Sequence, residues 1–325
     1  MGQRIVVLDG QTLCPGGADP LDWSPLRDLG EVTVHARTSP DEVADRAAGA
    51  AIVLTNKTVI DTDAIARLPE LRYIGVLATG WNVVDVEAAH ARGVVVTNVP
   101  SYGTDSVAQH VFALLLELVS QTSVHADAVR KGQWVRSPDW SLTVAPLVEL
   151  AGKALGIVGL GSIGKRVAQI GAAMGMSILA AKQSSMHRVL LPGFEVQWVE
   201  VDDLFAQADV VSLHCPLTDE TRGLANAKRI GRMKPTSYLI NTARGGLVAE
   251  SALAAALGGG AIAGAGLDVL SVEPPTASNP LLKAPRCVIT PHVAWATTEA
   301  RRRLLQTAAN NIKAFAMGQP INVIS

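Results

Sequence analysis

Three glycines at fixed spacing, set between an apolar run and a helical run, constrain this chain more than any other feature. They are Gly159, Gly161 and Gly164, in a GxGxxG pattern. The pattern follows the predicted strand Ala154–Val158 and opens a predicted helix near Ser162. In this setting the first glycine permits a tight turn, the second lets backbone approach a pyrophosphate, and the third lets helix and strand pack closely. The helix N-terminus offers unpaired N–H groups to that phosphate, so we predict a dinucleotide-binding unit.

An overlapping pattern from Gly159 to Lys165 resembles the start of a phosphate-loop NTPase motif. That motif needs Ser or Thr at the next position to hold magnesium. Position 166 is Arg, and we therefore reject the NTPase interpretation.

Short Val/Ile/Leu runs alternate with Ala-rich helical stretches along the chain, which is typical of parallel sheets wrapped by helices. A first set of predicted strands is Ile5–Leu8, Ala51–Leu54, Tyr73–Val76 and Val94–Thr97. A second set is Ala154–Val158, Ser177–Ala180, Val196–Val199, Asp209–Leu213, Tyr238–Asn241, Ala263–Val269 and Cys287–Thr290. A chain of 325 residues is long enough for two cores. We predict an α/β protein with two doubly wound parallel-sheet domains, the second a Rossmann nucleotide-binding domain.

Two long helices are predicted outside these strands. One begins at Thr104, and the other runs from about Thr297 to Met317. The second helix is too small to fold alone, so it must pack back onto a sheet. We predict a discontinuous first domain, residues 1–100 and 293–325, and a nucleotide-binding domain, residues 101–292. Apolar residues surround more than one face of the Thr104 helix, which predicts a homodimer with much of that helix at the interface; they are Leu114, Leu115, Leu116 and Val119.

Composition narrows the partners and the compartment. A net charge of −1 gives no electrostatic basis for binding nucleic acid or an anionic membrane. We expect no membrane span, because no run of about eighteen apolar residues occurs, and we see no signal-peptide layout at the N-terminus. Cys14, Cys215 and Cys287 are widely spaced, so we predict no disulfide, no metal site and a cytoplasmic protein.

Three polar residues each follow a predicted strand of the second set: Arg244, Glu273 and His292. Ligands of open parallel sheets bind beyond the carboxyl ends of the strands, where these residues would meet. Arginine presents a planar fork of donors to a carboxylate or a carbonyl. Histidine can protonate a forming alkoxide, and a neighbouring carboxylate would favour its charged form. This set suits carbonyl reduction.

His214 also ends a strand and is the competing catalytic histidine, although its position suits an adenine-pocket wall better. We expect the remaining histidines to lack comparable neighbours; they are His35, His90, His110, His125 and His187.

Lys182 stands at the end of the second strand after the glycines, where an acid usually holds the adenosine ribose. Hydrogen-bond donors follow it, and no carboxylate appears before Glu195; the donors are Gln183, Ser184, Ser185, His187 and Arg188. The alternatives are a solvated lysine and a cation facing a 2′-phosphate. We predict NADP as the preferred cofactor, with NAD as the alternative.

Almost the whole chain resembles the D-isomer-specific 2-hydroxyacid dehydrogenases, most closely their glycerate dehydrogenase/hydroxypyruvate reductase branch. The resemblance rests on the segments 78–82, 98–109, 149–153, 213–218, 241–246, 266–269 and 290–296. It implies a flavodoxin-like substrate domain beside the Rossmann domain, and the reduction of a small 2-keto acid of the hydroxypyruvate or glyoxylate type to the D-2-hydroxy acid. The stretch Asp139–Val144 departs from the branch's pattern, and the sequence leaves the identity of the 2-keto acid open.

The resemblance also implies roles for individual residues. Arg244, Glu273 and His292 would be catalytic, and Thr79 and Gly80, with Arg244, would bind the substrate. The cofactor would contact the glycine loop and further residues, which are Thr104, Ser162, Ile163, Lys182, Cys215, Pro216, Thr221, Thr242, Ala243, Asp268 and His292. A homodimer is typical of the family.

Three alternatives differ from this interpretation in one residue, in domain content or in function. A formate dehydrogenase would place glutamine rather than Glu273 beside the histidine. A long-type phosphoglycerate dehydrogenase would need a regulatory domain after the last residue, Ser325, and we do not expect one. A nucleotide-sensing corepressor of the same fold would bind the cofactor without turnover.

Overall fold

The computed structural model describes residues 3–14, 21–182 and 193–324. The chain divides into two compact units. The first unit comprises Met1–Gly103 and Trp295–Ser325, and the second comprises Thr104–Ala294. The predicted limits at residues 100 and 292 differ from these by three and two residues. The assignment of the first unit to the substrate and of the second to the dinucleotide stays a prediction.

The first unit is built on a five-stranded sheet. Its strands are β1 (Gln3–Val7), β2 (Gly30–Val34), β3 (Ile52–Thr55), β4 (Tyr73–Val76) and β5 (Val95–Thr97). They are all parallel, in the order β2-β1-β3-β4-β5. The helices between them are α1 (Ser24–Arg27), α2 (Val43–Arg46), α3 (Thr62–Ala66) and α4 (Val86–Ala91).

The second unit is built on a seven-stranded sheet. Its strands are β6 (Ala154–Val158), β7 (Ser177–Ala181), β8 (Val196–Val199), β9 (Val210–Leu213), β10 (Tyr238–Asn241), β11 (Gly264–Leu267) and β12 (Cys287–Ile289). Its helices are α5 (Thr104–Ser120), α6 (Thr122–Arg130), α7 (Ser162–Ala173), α8 (Val201–Gln207), α9 (Ala227–Ile230) and α10 (Glu250–Gly258). The strands are all parallel, in the order β12-β11-β10-β9-β6-β7-β8. The predicted α/β class, with two doubly wound parallel sheets, is confirmed.

The last helix, α11 (Thr298–Ala316), belongs to the first unit. It begins where the Thr297 side chain accepts a hydrogen bond from the N–H of Ala300, an N-cap that satisfies one unpaired donor. Apolar residues of α11, including Leu304 and Ile312, share one core with residues of β1 and β3. Burial of this face fixes the helix on the first sheet.

Strand β2 is the one strand of the described residues that sequence analysis missed. It pairs only with β1 and lies at the edge of its sheet. Its residues are half-buried, with Glu31 exposed, so it has neither a continuous apolar run nor a strict alternation. An edge strand with this pattern gives little periodic signal.

Helix α5 is covered by its own unit. Leu114, Leu115 and Val119 are each at most 2% exposed and pack in the core beneath β6 and β10, while Leu116 is 38% exposed. Three of the four apolar residues on which the dimer through α5 was predicted therefore belong to the core of their own unit and give no argument for an interface, and the dimer stays a prediction. Among the described residues no single helix is long and apolar enough to cross a bilayer. Helices α5 and α6 taken together have the length and apolar composition of a membrane span, but the chain bends by 56° between them.

Candidate active site

The glycine-rich turn joins β6 to α7. Gly159 has φ of +99°, a left-handed conformation that favours glycine. A Cβ at Gly159 would lie 2.6 Å from the amide nitrogen of Cys215, and one at Gly164 would overlap the carbonyl oxygen of Gly159. Both glycines thus permit backbone approaches that a side chain would prevent.

Gly161 differs from its two neighbours in the pattern. It immediately precedes α7, and a Cβ there would meet nothing within 4 Å. Open space therefore lies beside the backbone at the N-terminus of a 12-residue helix that begins with Ser162 and Ile163. The first N–H groups of a helix have no partner within it and attract anions. This cradle fits the pyrophosphate of a dinucleotide.

A second feature fits the cofactor at the end of β10. Thr242 is 9% exposed, and its Oγ1 has no hydrogen-bond partner within the described part of the chain. A buried hydroxyl without a partner costs free energy, so a bound polar group would satisfy it. The next residue, Ala243, donates its N–H to Oδ1 of Asn241 at 3.0 Å. Thr242 thus suits contact with a polar cofactor group.

The loop after β9 is ordered by its own hydrogen bonds. Cys215 is buried, and burial raises the pKa of its thiol, which keeps this wall neutral. Pro216 is exposed beside it. The Thr221 hydroxyl donates to the Pro216 carbonyl at 2.7 Å and accepts from the Thr218 N–H at 2.7 Å. Since the Thr221 hydroxyl is already hydrogen-bonded within the loop, Thr221 could contact a phosphate only through its backbone N–H or after the loop rearranges.

Arg244 follows β10 and is held from its backbone. The buried Asn241 side chain donates to the Arg244 carbonyl at 2.9 Å. The next residue, Gly245, lies against the backbone of the β11 loop, since a Cβ there would overlap the Leu270 carbonyl. The two loops can approach only because position 245 has no side chain. Sequence analysis missed the positioning role of Asn241, for which the Asn-Thr-Ala-Arg segment was the available signal.

Glu273 and His292 form a hydrogen-bonded pair. Oε2 of Glu273 lies 2.6 Å from Nδ1 of His292, and Oε1 accepts the Leu270 N–H at 2.9 Å. The two side chains are 37% and 33% exposed, so the pair is reachable from solvent. A carboxylate hydrogen-bonded to Nδ1 fixes the orientation of the ring.

The turn that carries His292 is held by a buried carboxylate. Asp268 is 1% exposed and accepts the N–H groups of Val293 and Ala294 at 2.9 and 2.8 Å. It also accepts the Thr290 hydroxyl at 2.6 Å. His292 has φ of +54°, and its N–H donates to the Asp268 carbonyl at 2.9 Å. Asp268 was expected beside the nicotinamide, and the structure adds that its side chain positions the histidine turn.

His110 joins this cluster, so the expectation that it lacks comparable neighbours is wrong. From α5, its Nε2 lies 2.9 Å from Oγ1 of Thr290 and 3.5 Å from Oδ1 of Asp268. The partners are 180 residues apart in sequence, and only the fold brings them together.

The three predicted catalytic residues line one cavity of the second unit. Arg244, Glu273 and His292 surround about 170 Å³, with Leu217, Leu270 and Ser271 in the same wall. Two donors and a carboxylate therefore face one small volume, as binding and protonation of a keto acid require. No group of three potential metal ligands occurs among the described residues.

His214 is not part of this cavity's lining. Its Nε2 lies 2.8 Å from the Ser212 hydroxyl. Burial lowers the pKa of His214 to about 4, so the ring is neutral at neutral pH. A neutral imidazole is a poor proton donor to an alkoxide compared with an imidazolium.

Lys182 directly follows β7, and its Nζ lies 3.0 Å from Oε1 of Glu200. The absence of any carboxylate between Lys182 and Glu195 in the sequence predicts none beside this lysine. This prediction is wrong, because Glu200, the residue after the neighbouring strand, supplies one. Five donors predicted to accompany Lys182 lie outside the described residues; they are Gln183, Ser184, Ser185, His187 and Arg188.

The predicted substrate loop belongs to the first unit. The Asn98 side chain donates to the Thr79 carbonyl at 2.7 Å, and the Thr79 hydroxyl donates to the Val99 carbonyl at 3.1 Å. Thr79 is exposed, and Gly80 next to it is half-buried. Thr104, expected among the cofactor contacts, opens α5 in the second unit.

Comparison with known proteins gives the family. Residues 112–294 match the sequence model of the D-isomer specific 2-hydroxyacid dehydrogenase, NAD binding domain. The chain is 45% identical to the hydroxypyruvate reductase of Blautia hydrogenotrophica, over 99% of both chains. It is 39% identical to the glycerate dehydrogenase of Methylorubrum extorquens, over 88% of this chain and 89% of that one.

A solved structure agrees with these relatives. The NADPH-dependent glyoxylate/hydroxypyruvate reductase of Sinorhizobium meliloti, in complex with NADP and malonate, superimposes with a TM-score of 0.81 at 28% identity. The match covers 100% of this chain and 97% of that one. The chain belongs to the D-isomer-specific 2-hydroxyacid dehydrogenase family, in its glycerate dehydrogenase/hydroxypyruvate reductase branch. It is an NAD(P)-dependent oxidoreductase.

Proposed function

We propose that this enzyme reduces hydroxypyruvate, glyoxylate or a closely similar 2-keto acid to the D-2-hydroxy acid. The observation that carries the proposal is the cavity in which Arg244 faces the hydrogen-bonded Glu273–His292 pair. The names of the relatives support the same substrate class.

The roles follow from the chemistry of the side chains. Arg244 binds the carboxylate or carbonyl of the substrate through its planar donors. Glu273 holds Nδ1 of His292, and Nε2 is the ring nitrogen that gives a proton to the carbonyl oxygen as negative charge develops. Reduced nicotinamide, when bound, supplies the hydride. Thr79 and Gly80 are proposed to bind the substrate carboxylate through their N–H groups.

The glycine loop and the ends of β9, β10 and β11 are proposed to hold the cofactor. Gly159, Gly161 and Gly164 shape the pyrophosphate cradle, with N–H groups from Ser162 and Ile163. The nicotinamide half would meet the strand-end residues, which are Thr242, Ala243, Asp268 and His292; the adenine half would meet Cys215, Pro216 and Thr221. The preferred cofactor is NADPH, because Lys182 offers a cation to the 2′-phosphate at the position where an acid would repel it.

One assay tests this function. Hydroxypyruvate, glyoxylate and pyruvate are each offered to the purified protein with NADPH and with NADH, and nicotinamide absorbance is followed. We expect rapid oxidation of NADPH with hydroxypyruvate or glyoxylate. Tight cofactor binding without turnover of any keto acid would instead favour the nucleotide-sensing alternative.

We also propose a homodimer, now through the segment 122–147 rather than α5. Large apolar side chains of this segment are exposed, notably Trp134 at 50%, Val135 at 88% and Trp140 at 89%. The segment is nevertheless ordered, because the Trp134 indole donates to the Trp140 carbonyl at 3.0 Å and the Val144 N–H donates to His125 at 3.3 Å. Ordered apolar surface of this extent is typical of an interface. A light-scattering mass near the 34.0 kDa of one chain at micromolar concentration would contradict it.

A cytoplasmic location completes the proposal. The net charge of −1 supports neither a nucleic-acid nor an anionic-membrane partner. No disulfide links the cysteines of the described residues, as is usual in a reducing compartment.

A further inference from the structure

The carboxyl ends of β7 and β8 carry opposite charges. Ala181 pairs with Val199 in the parallel register, and the Lys182 N–H donates to the Val199 carbonyl at 2.9 Å. Lys182 and Glu200 are therefore the first residues beyond two paired strands. Their side chains meet there, with 3.0 Å between Nζ and Oε1. No acid directly follows β7 in the sequence, but Glu200, which follows β8, places a carboxylate at the end of β7.

Glu200 has no competing cation within the described residues. The next acids along α8 face a different group: Asp202 pairs with Arg229 at 2.7 Å, and Asp203 pairs with Arg232 at 3.5 Å. Removing the Glu200 charge therefore leaves Lys182 without a replacement carboxylate from this helix. The Lys182–Glu200 pair is an isolated switchable contact at the expected ribose edge.

We propose that Glu200 sets the cofactor preference by competing with the 2′-phosphate of NADP for Lys182. This inference rests on the proposed role of Lys182 in phosphate binding. In the absence of NADP the lysine is paired with Glu200; when NADP binds, the phosphate must break that pair. NAD makes no such demand. Glu200 therefore lowers the affinity for NADP relative to that for NAD, so that the enzyme can use both cofactors.

The burial of the two side chains fixes the size of the effect. Lys182 is 53% exposed and Glu200 is 66% exposed, so solvent weakens their attraction. Exposed ion pairs change an equilibrium by about fivefold at most. A charge-assisted contact to phosphate is worth roughly ten- to a hundredfold in affinity. The phosphate therefore wins the lysine, at an advantage reduced by about two- to fivefold.

The test separates the nucleotide from the hydride chemistry. Calorimetric titration of the full-length protein gives dissociation constants for 2′,5′-ADP, which carries the 2′-phosphate, and for 5′-AMP, which lacks it. The ratio of the second constant to the first measures phosphate preference. We expect Glu200→Gln to raise this ratio about two- to fivefold and Lys182→Met to lower it. In the Lys182→Met background, Glu200→Gln should have little effect.

Glu195→Gln is the charge-matched control. Glu195 is exposed and precedes β8, so it lies about 16 Å along the strand from Glu200. It should leave the ratio unchanged, and thermal melting checks that every variant folds. An unchanged ratio in Glu200→Gln would overturn the inference. So would an equal rise in the Lys182→Met background, because Glu200 would then repel the phosphate directly.

The outcomes also distinguish this inference from the function on which it rests. If Lys182→Met leaves the ratio unmoved, the phosphate-binding role of Lys182 fails, and the inference fails with it. If Lys182→Met lowers the ratio and Glu200→Gln does nothing, only the inference fails. A wrong substrate class would appear in the keto-acid assay and would not change either ratio.

Discussion

The two sheets differ at the point where their strand order reverses: one has a carboxylate there and the other has glycines. In each sheet the strand order reverses between two neighbouring strands, β1 and β3 in the first unit and β6 and β9 in the second. Crevices at such points, outside the carboxyl ends of the strands, are where open α/β sheets bind ligands. The two crevices have the same origin but different contents.

The first crevice is closed by the protein's own anion. Asp9, just beyond β1, is 1% exposed and accepts three backbone N–H groups of the loop after β3. They belong to Asn56, Lys57 and Thr58, at 2.9, 2.5 and 2.8 Å. Donors that could bind a phosphate are therefore already satisfied by a carboxylate.

The second crevice is left open. The corresponding turn carries Gly159 and Gly161 instead of an acid, with open space beside Gly161. A carboxylate does link the same pair of strands, but at their other end, where Asp209 accepts the Ala154 N–H at 2.8 Å. The two crevices thus differ in the position of one carboxylate, which lies at the carboxyl ends of the strands in the first sheet and at their amino ends in the second.

The largest expected effect tests whether the chemistry belongs to the second sheet. His292→Ala should lower turnover about a hundred- to ten-thousandfold, because the developing alkoxide loses its proton donor. Steady-state reduction of the preferred keto acid measures it. His90→Ala, the same change at an exposed position of the first unit, should leave turnover unchanged. Near-normal reduction by His292→Ala would transfer the role to His214.

The open crevice is tested next. Gly161→Val should weaken cofactor binding roughly ten- to a hundredfold, because a side chain would fill the space of the pyrophosphate and lose its charge-assisted hydrogen bonds. The melting temperature should hardly change, since the new side chain starts from a Cβ that meets no protein atom within 4 Å. Gly159→Ala should instead lower the melting temperature, because its Cβ would clash with the backbone of Cys215. Normal cofactor affinity in a folded Gly161→Val would place the pyrophosphate elsewhere.

The closed crevice should respond in stability. Asp9→Asn replaces one carboxylate oxygen, which accepts backbone N–H groups, by an NH₂ group that cannot accept them. At least one buried N–H is then left without an acceptor. The expected loss is about 1–3 kcal/mol in the free energy of unfolding. Urea denaturation measures it against Asp41→Asn, an exposed change in the same unit. A variant as stable as the control would show that the carboxylate does not hold the loop.

Local sequence patterns were sufficient to predict the residues at one edge of the second sheet. Contacts between residues far apart in the sequence could not be predicted in this way. The glycine spacing and the residues that follow the strands were sufficient to predict the cavity of Arg244, Glu273 and His292, because parallel strands end at one edge. The contacts of Lys182 with Glu200 and of His110 with Thr290 depend on strand register and helix packing. Neither leaves a periodic signal.

The smallest expected effect concerns the carboxylate at the opposite end of the second sheet. Oδ1 of Asp209 accepts a hydrogen bond from Lys234 at 2.8 Å, in addition to the Ala154 bond. Burial alone would raise the pKa of Asp209, but the two hydrogen bonds and the lysine charge outweigh it and hold the pKa below its ordinary value of 3.8. A depressed pKa in the folded state means that ionised Asp209 stabilises the protein above the unfolded value. This stabilisation is lost as the pH falls through the folded value.

Asp209→Asn should therefore cost about 1 kcal/mol in the free energy of unfolding near pH 7. The difference from the wild type should stay constant from about pH 8 to 5 and shrink below about pH 4, where the wild-type carboxylate takes up its proton. Denaturant unfolding at a series of pH values measures both quantities. A difference that persists unchanged into acid would show that the charge of Asp209 is not what stabilises the link between β6 and β9. The contrast with Asp9 would then be one of position alone, because a protonated carboxyl group at position 209 would hold the two strands as well as an ionised one.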